Sequence, residues 1–356
     1  MGGARGMTDV PAPATRASDP ADAPPARVWV LDDPRAGTAA QALGIAERLG
    51  LPFRRIPLAW SWMAHIAGLA PAGSLLGLSA AARAAIGHAS DQGLEYAPDL
   101  VLSAGRRSSA VALWLKSRFG CRIVHCMSPG LSALFRPEAF DLLVVPMHDD
   151  PKEADNILPI MGAPHRLTPL ALHQAGEAWE ERLAHLPRPR VALLVGGRPG
   201  GTDMPPFLAN RLARHLARIV GAQGGTVLAT TSRRTGEEAT EALAAGLGRV
   251  MHLLFRWGEP GPNPYLGFLA TADAIVVTAE SVSMISEACA TGAPVFYALP
   301  ELAGRRQRRF IERFETAGLI RPLDTSLSPW PRPVLDESAR VADEIRQRFE
   351  LHGSDA

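Results

Sequence analysis

One pattern recurs in both halves of this chain: a short apolar run breaks into a turn rich in glycine or hydroxyl residues and then into a helical pattern. Val28 to Leu31 runs into the turn Asp32 to Gly37 and a helix marked by Gln41, Ile45 and Leu49. Leu100 to Ser103 leads to Gly105 and a helix through Val111 and Leu115, and Arg122 to His125 and Leu142 to Val145 add two more runs. Later, Val191 to Val195 leads into Gly196-Gly197, and Thr226 to Thr230 into Thr231 to Thr235. Ala274 to Thr278 leads into a helix from about Val282, and Val295 to Ala298 closes the series. Strands that are apolar on both faces and alternate with helices form parallel sheets covered on both sides. The expectation is an α/β chain.

At 356 residues the chain is long enough for two such domains, each with its own core. A helix-like stretch, Glu177 to Leu186, ends in Pro187-Arg188-Pro189, where proline cannot continue a helix. The reading is therefore a tail over 1–26, rich in Pro, Ala, Asp and Gly, and a first Rossmann-like domain over 27–169. A linker helix and hinge follow over 170–189, then a second Rossmann-like domain over 190–332. An amphipathic helix within 333–356 is expected to pack back on the first domain. The two domains would face each other across a cleft.

Charge and cysteine content narrow the function. The 37 basic residues nearly cancel the 36 acidic ones, so no nucleic-acid partner is expected. Cys121, Cys126 and Cys289 have neither disulfide-framework nor zinc spacing, which points to a reduced, cytoplasmic setting and no metal. The stretch 56–78 contains no charged residue, but Pro57, Pro71, Gly68, Gly73, Ser61, Ser74 and His65 interrupt it. It reads as a buried helix or a membrane-surface patch, not a span. Trp60, Trp62 and Met63 within it are core packing or a contact for lipid. Arg305, Arg306, Arg308, Arg309 and Arg313 form the densest basic run: a solvated helix face, or a site for donor phosphates or an anionic membrane on the inner surface.

The most informative segment is Thr278 to Val295. It places Ser281, Val282 and Ser283 where a strand turns into a helix, and unpaired N–H groups and the helix dipole there favour an anion such as a pyrophosphate. Glu287, about a turn and a half on, is placed to accept hydrogen bonds from ribose hydroxyls. Simple helix capping is the alternative. Three further loops fall at strand C-termini of the same domain: Gly196-Gly197-Arg198, Thr231-Ser232-Arg233-Arg234-Thr235, and Asn263-Pro264-Tyr265. In the first domain Asp33, or Asp32, is a candidate general base, with an Asp-Pro turn as the alternative. His125 and His148-Asp149-Asp150 are further candidates for acid-base or acceptor contacts, and a metal site at His148 lacks a second histidine.

In combination these segments resemble a known family, the mitochondrial fission proteins named after a plant elongated-mitochondria mutant. The resemblance spans Val28 to Leu323. It rests on the Leu31 to Gly37 loop with Gln41 and Gly44-Ile45-Ala46-Glu47, on Ser103 to Ser108, on Thr230 to Thr235, on Asn263 to Leu266 and on Ser281 to Ala288. The C-terminal segment also resembles the donor half of GT-B glycosyltransferases such as the peptidoglycan N-acetylglucosaminyltransferase. That similarity implies a GT-B fold and a nucleotide-diphosphate sugar, UDP-sugar favoured, as substrate, without a tightly bound cofactor or metal. It places the acceptor, a cell-envelope or lipid-linked molecule, beside Gly37, Thr38, Gly105, Arg106, Arg107 and Ser108. Two departures stand out: Thr38-Ala39-Ala40 replaces a more polar stretch before Gln41, and Glu280 replaces the usual aspartate before Ser281. Six residues separate Glu280 from Glu287, one short of the Glu-x7-Glu pattern of many retaining enzymes, so inverting transfer is expected. A nucleotide-sugar epimerase and a non-enzymatic nucleotide-binding or membrane-recruiting scaffold are the alternatives.

Overall fold

The computed structural model describes residues 28–62, 73–91, 97–129, 137–198 and 203–351. The first half is β1 (Val28–Asp32), α1 (Ala36–Leu49), β2 (Phe53–Pro57), α2 (Ala80–Asp91), β3 (Leu100–Ala104), α3 (Ser108–Phe119), β4 (Arg122–Cys126), β5 (Leu142–Pro146) and β6 (Ile157–Ile160). After α4 (Pro169–Leu183) come β7 (Arg190–Val195), α5 (Pro206–Ala222), β8 (Thr226–Thr231), α6 (Glu237–Leu247), β9 (Met251–Phe255) and α7 (Tyr265–Thr271). The chain continues with β10 (Ala274–Thr278), α8 (Val282–Cys289), β11 (Val295–Ala298), α9 (Arg305–Thr316), β12 (Arg321–Pro322) and α10 (Glu337–Phe349).

The strands form two sheets of six, in the orders β2-β1-β3-β4-β5-β6 and β12-β11-β10-β7-β8-β9. Every paired strand in both is parallel. Each sheet is buried on both faces. In β7, Ala192 and Leu194 join the core beneath α4, α7, α8 and α9, whereas Val191, Leu193 and Val195 join the opposite core with α5 and α6. That alternation explains the uninterrupted apolar runs. Strand order reverses between β1 and β3 in the first sheet and between β7 and β10 in the second. In open α/β sheets the crevice at such a reversal is where ligands bind.

The two halves are stitched in three places. Helix α10 lies against α1, with Val341, Ala342, Ile345 and Phe349 buried in the core of the first sheet. Arg48 of α1 bonds to Asp336 at 2.7 Å, and Ser338 exchanges hydrogen bonds of 2.7 Å with the backbone of His165. On α8, the Ser286 hydroxyl accepts the Ala163 N–H at 3.0 Å. The third seam draws on the basic run. Arg306 clasps Asp149, and Arg309 and Arg313 both pair with Asp150, so three cations of the run join the halves while staying partly exposed. His148 is buried with its ring edge-on to Phe310 at 5.3 Å, and its acid-base role gives way to packing. Burial pushes it down to about 4.

Of the uncharged stretch, β2 accounts for its start, and an isolated antiparallel bridge joins Trp60 to Leu78. Residues 63–72, Met63 among them, lie outside the described residues. Among the described residues no helix is long and apolar enough to cross a membrane.

Gly44 marks where α1 meets the 163–167 segment: a Cβ there would stand 2.1 Å from the carbonyl oxygen of His165. Gly44→Ala is expected to cost about 1–3 kcal/mol in denaturant unfolding, since the obstacle is backbone. Gly87→Ala in α2, where nothing lies within 4 Å, is expected to stabilise by about 0.5–1 kcal/mol.

Candidate functional site

The strand reversal of the second sheet builds a crevice from the ends of β7, β8 and β10. Strand β10 ends at Thr278, and the chain turns through Ala279 and Glu280 into α8. Ser281 stands at the helix N-cap in an extended conformation, but its hydroxyl does not cap the helix. The first-turn N–H groups of α8 therefore keep their donor capacity for a ligand. At the other end Arg332 does the opposite work. Its guanidinium donates to the carbonyls of Ala288, Cys289, Thr291 and Ala293, placing a cation at the negative end of the helix dipole.

The walls of the crevice come from the neighbouring loops. Gly196 and Gly197 are glycines for lack of room. A Cβ on Gly196 would stand 1.7 Å from Oε1 of Glu280, and one on Gly197 would stand 2.0 Å from the carbonyl oxygen of Arg234. The Gly196 N–H donates to the Thr278 hydroxyl at 2.9 Å. Arg198 is exposed beside them. In the β8–α6 loop, Thr235 donates to the carbonyls of Val195 and Gly196, and Ser232 turns back on Thr235, so these hydroxyls lock the two loops together. Thr231 accepts the Trp257 N–H at 2.9 Å. Arg233 is exposed and Arg234 half-buried, and Arg234 acts electrostatically on Glu280.

Glu287 and Tyr265 meet across the α7–α8 contact, where the tyrosine hydroxyl donates to Oε2 of Glu287. Glu287 keeps some solvent access, yet its poorly hydrated surroundings push its carboxyl up to about 7, partly offset by the tyrosine bond. Burial and the adjacent carboxylate also raise the Tyr265 hydroxyl. Asn263 serves locally, its Oδ1 accepting the Tyr265 N–H at 3.0 Å at the start of α7.

Across the cleft, α1 likewise begins without a side-chain cap. Its second residue, Gly37, faces the second residue of α8: a Cβ on Gly37 would lie 3.3 Å from the Ser283 hydroxyl. Two uncapped helix starts, one from each half, thus meet at one place. Thr38 sits against Gly105, whose φ of 83° and 2.9 Å clearance to a Thr38 methyl leave no place for a side chain. Ser108 spends its hydroxyl on the Ala104 and Gly105 carbonyls, and Arg107 lies over the Trp60 ring. Arg106 is exposed and lines a cavity of about 710 Å³ with Met127, Leu143, Val145, Lys152 and Arg306, at the ends of β4 and β5. Met127 and Asp150 on its wall hold left-handed backbones, with φ of 75° and 50°, a strain that concentrates at functional sites. Another cavity, about 660 Å³, lies between α5 and the end of β11, lined by Phe207, Arg211 and Tyr297 and by neither helix start.

The three candidate catalytic residues, Asp33, Asp32 and His125, are all engaged by other groups. Asp33 is 2% exposed and its two oxygens accept the Arg35 N–H, the Arg35 guanidinium and the Trp60 indole N–H at 2.9–3.2 Å. In this arrangement it organises the β1–α1 loop and is not an open base. Asp32 pairs with Arg55 at 2.6 Å. His125 is fully buried on β4, bonded to Ser103 at 2.8 Å and packed on Phe140. Burial lowers it to about 3, so it stays neutral in the core, out of reach of an acceptor. Sequence reasoning did not assign Glu280, Thr278 or Arg332 to the site. Their proximity depends on loops far apart in sequence, and only the small residue at Gly196 signals the tight approach.

A family model described as mitochondrial fission ELM1 matches residues 36–349. The chain belongs to this family. The mitochondrial fission protein ELM1 of Arabidopsis thaliana is 29% identical over 287 residues, 72% of this chain and 65% of its own length. The chain therefore spans just under two thirds of that plant relative. An uncharacterized protein of Rickettsia prowazekii, RP120, is 24% identical and covers 92% of this chain and 99% of its own. Among solved structures, the UDP-GlcNAc 2-epimerase of Methanocaldococcus jannaschii superposes with a TM-score of 0.53 at 14% identity, covering 90% of this chain and 99% of the epimerase. The Neisseria meningitidis enzyme, solved bound to UDP-GlcNAc, gives 0.50 at 12% identity, covering 91% and 99%. The fold of this ELM1-family chain is thus the two-domain GT-B type.

The Glu287 environment carries a consequence for stability. A carboxyl raised from 4.5 to about 7 on folding binds more protons in the native than in the unfolded state between those values. Native stability should therefore fall as pH rises from about 4.5 to about 7 and level off above. Glu287→Gln is expected to flatten this slope and to gain on the order of 1–3 kcal/mol relative to the wild type at alkaline pH, read from denaturant unfolding at several pH values.

Proposed function

We propose that this ELM1-family chain is an inverting glycosyltransferase that uses a nucleotide-diphosphate sugar, UDP-sugar favoured. The reading rests on the meeting of two uncapped helix starts, α1 and α8, at the mouth of the strand-reversal crevice. The diphosphate would lie on the first turn of α8, with Ser281 and Ser283 as further donors and the Gly196-Gly197 loop close against it. Arg198 and Arg233, both exposed at the rim, would add charge. The ribose would hydrogen-bond to Glu287, beside Tyr265. No step assigns a role to a metal, and the helix start supplies the positive potential that the leaving diphosphate needs.

The acceptor would enter from the first half. The mixed cavity of Arg106, Met127, Val145 and Lys152, lined also by Asp150 and the Asp149–Arg306 pair, would take a molecule with an apolar body and a polar or anionic group, such as a lipid-linked cell-envelope intermediate at a membrane surface. The acceptor hydroxyl would replace the Trp60 indole N–H on Oδ2 of Asp33, the one donor in that set from outside the 33–35 loop. Asp33 would take the hydroxyl proton as its oxygen bonds to the anomeric carbon and the nucleoside diphosphate departs.

The two solved structures compared above are UDP-GlcNAc 2-epimerases, which keeps epimerisation as the second reading. Incubation with UDP-sugars, with and without an acceptor extract, separates the possibilities. Acceptor-dependent release of UDP supports transfer, interconversion of sugar epimers without acceptor supports epimerisation, and tight binding with neither product leaves a scaffold. Glu287→Ala should weaken UDP binding by about tenfold in calorimetry through loss of the ribose contact. Asp33→Asn should leave UDP affinity within about twofold while abolishing transfer; persistence of transfer in that variant would remove Asp33 as the base.

A further inference from the structure

The donor crevice has an acidic side chain built into its floor. Glu280 immediately precedes Ser281, the N-cap of α8, and is 4% exposed. Its Oε1 accepts the Thr278 hydroxyl at 3.2 Å, and that hydroxyl in turn accepts the Gly196 N–H at 2.9 Å. Its Oε2 is buried without a hydrogen-bond partner. The carboxyl fills the space that a side chain at position 196 would need, which places it in the crevice wall.

A carboxylate is a poor floor for an anion site. Two negative groups a few ångströms apart in poorly hydrated surroundings repel strongly, and a buried carboxylate oxygen with no donor is itself costly. The groups facing Glu280 are the Thr278 hydroxyl of β10, the backbone N–H of Gly197 after β7, its own N–H, and the Arg234 charge from the β8–α6 loop. From α8 the nearby atom at the Gly196 cradle is the apolar Met284 methyl. Burial outweighs the favourable partners and raises the carboxyl above its ordinary value. A neutral carboxylic acid removes both objections: it carries no charge to repel a phosphate, and its hydroxyl hydrogen occupies the oxygen that lacks a donor.

We propose that the crevice takes its anion together with a proton: a nucleoside diphosphate binds the form in which Glu280 is a neutral carboxylic acid, and binding draws that proton from solvent onto Glu280. The inference rests on the nucleotide-diphosphate reading of the crevice and adds a specificity-determining residue to it. Glu280 then sets the pH range over which the site accepts a fully charged diphosphate, and affinity falls by up to about tenfold per pH unit once Glu280 ionises in the free protein.

Calorimetric titration with UDP at about pH 8, in buffers of different ionisation enthalpy, counts the protons taken up. The wild type should take up more protons than Glu280→Gln, by up to about one. The glutamine variant, uncharged and of the same shape, should bind UDP at least as tightly. Because Glu287 also titrates, the same count on Glu287→Gln with inorganic pyrophosphate, which makes no ribose contact, should still show uptake. Equal uptake by the wild type and Glu280→Gln, weaker UDP binding by a folded Glu280→Gln, or no uptake by Glu287→Gln with bound pyrophosphate overturns the proposal and leaves the nucleotide reading standing. If neither UDP nor pyrophosphate binds the wild type, the nucleotide reading fails and the proton coupling fails with it.

Discussion

Parallel pairing in both sheets is the constraint from which the rest of this molecule follows. A parallel strand needs a crossover, the crossovers cover both faces of the sheet, and all loops that follow strands gather on one rim. In each half the strand order reverses once within that rim, and the reversal opens a crevice flanked by a helix start. The halves are then fixed so that the two helix starts meet. Helix α10 returns to α1, Ser286 bonds to Ala163, and the Asp149–Arg306 and Asp150–Arg309/Arg313 pairs join the β5 turn to α9. Three arginines of the basic run of α9 thus form an interdomain clasp.

The electrostatics of α8 show how the second half concentrates its chemistry. Arg332 satisfies the carbonyls at one end, and no side chain satisfies the donors at the other. One end of the dipole is neutralised by the protein while the other is left to whatever enters the crevice. Glu280 stands just before that open end and Glu287 about a turn and a half along the helix, and burial raises both carboxyls. An uncapped helix start with raised carboxyls on the same strand-to-helix segment is the feature on which the proposed anion site rests.

Much of this was legible in the sequence, and what was not has physical causes. The buried strands β1, β3, β4, β5, β7, β8, β10 and β11 announce themselves as apolar runs because both faces are covered. Strands β2, β9 and β12 lie at sheet edges, where one side has no neighbour. Half-exposed residues such as Arg54, Arg55 and His252 there erase the apolar signal. The segment from Thr278 to Val295 was readable as a strand-to-helix junction because its hydroxyl and small residues are local. Asp33 and His125 illustrate the limit. Their positions at strand ends were readable, but the Trp60 indole on Asp33 and the Phe140 ring on His125 come from elsewhere in the chain. Glu280 was visible only as a departure from the family pattern, since its meaning depends on contact with Gly196, 84 residues earlier.

The central claim is that the open start of α8 holds a nucleoside diphosphate between the two halves. A crystal structure of the protein grown with UDP tests it most directly. The expected density places the diphosphate on the backbone N–H groups of Val282 to Met284, with the ribose against Glu287. Diphosphate density elsewhere, with the α8 start untouched while UDP is demonstrably bound, would contradict the account.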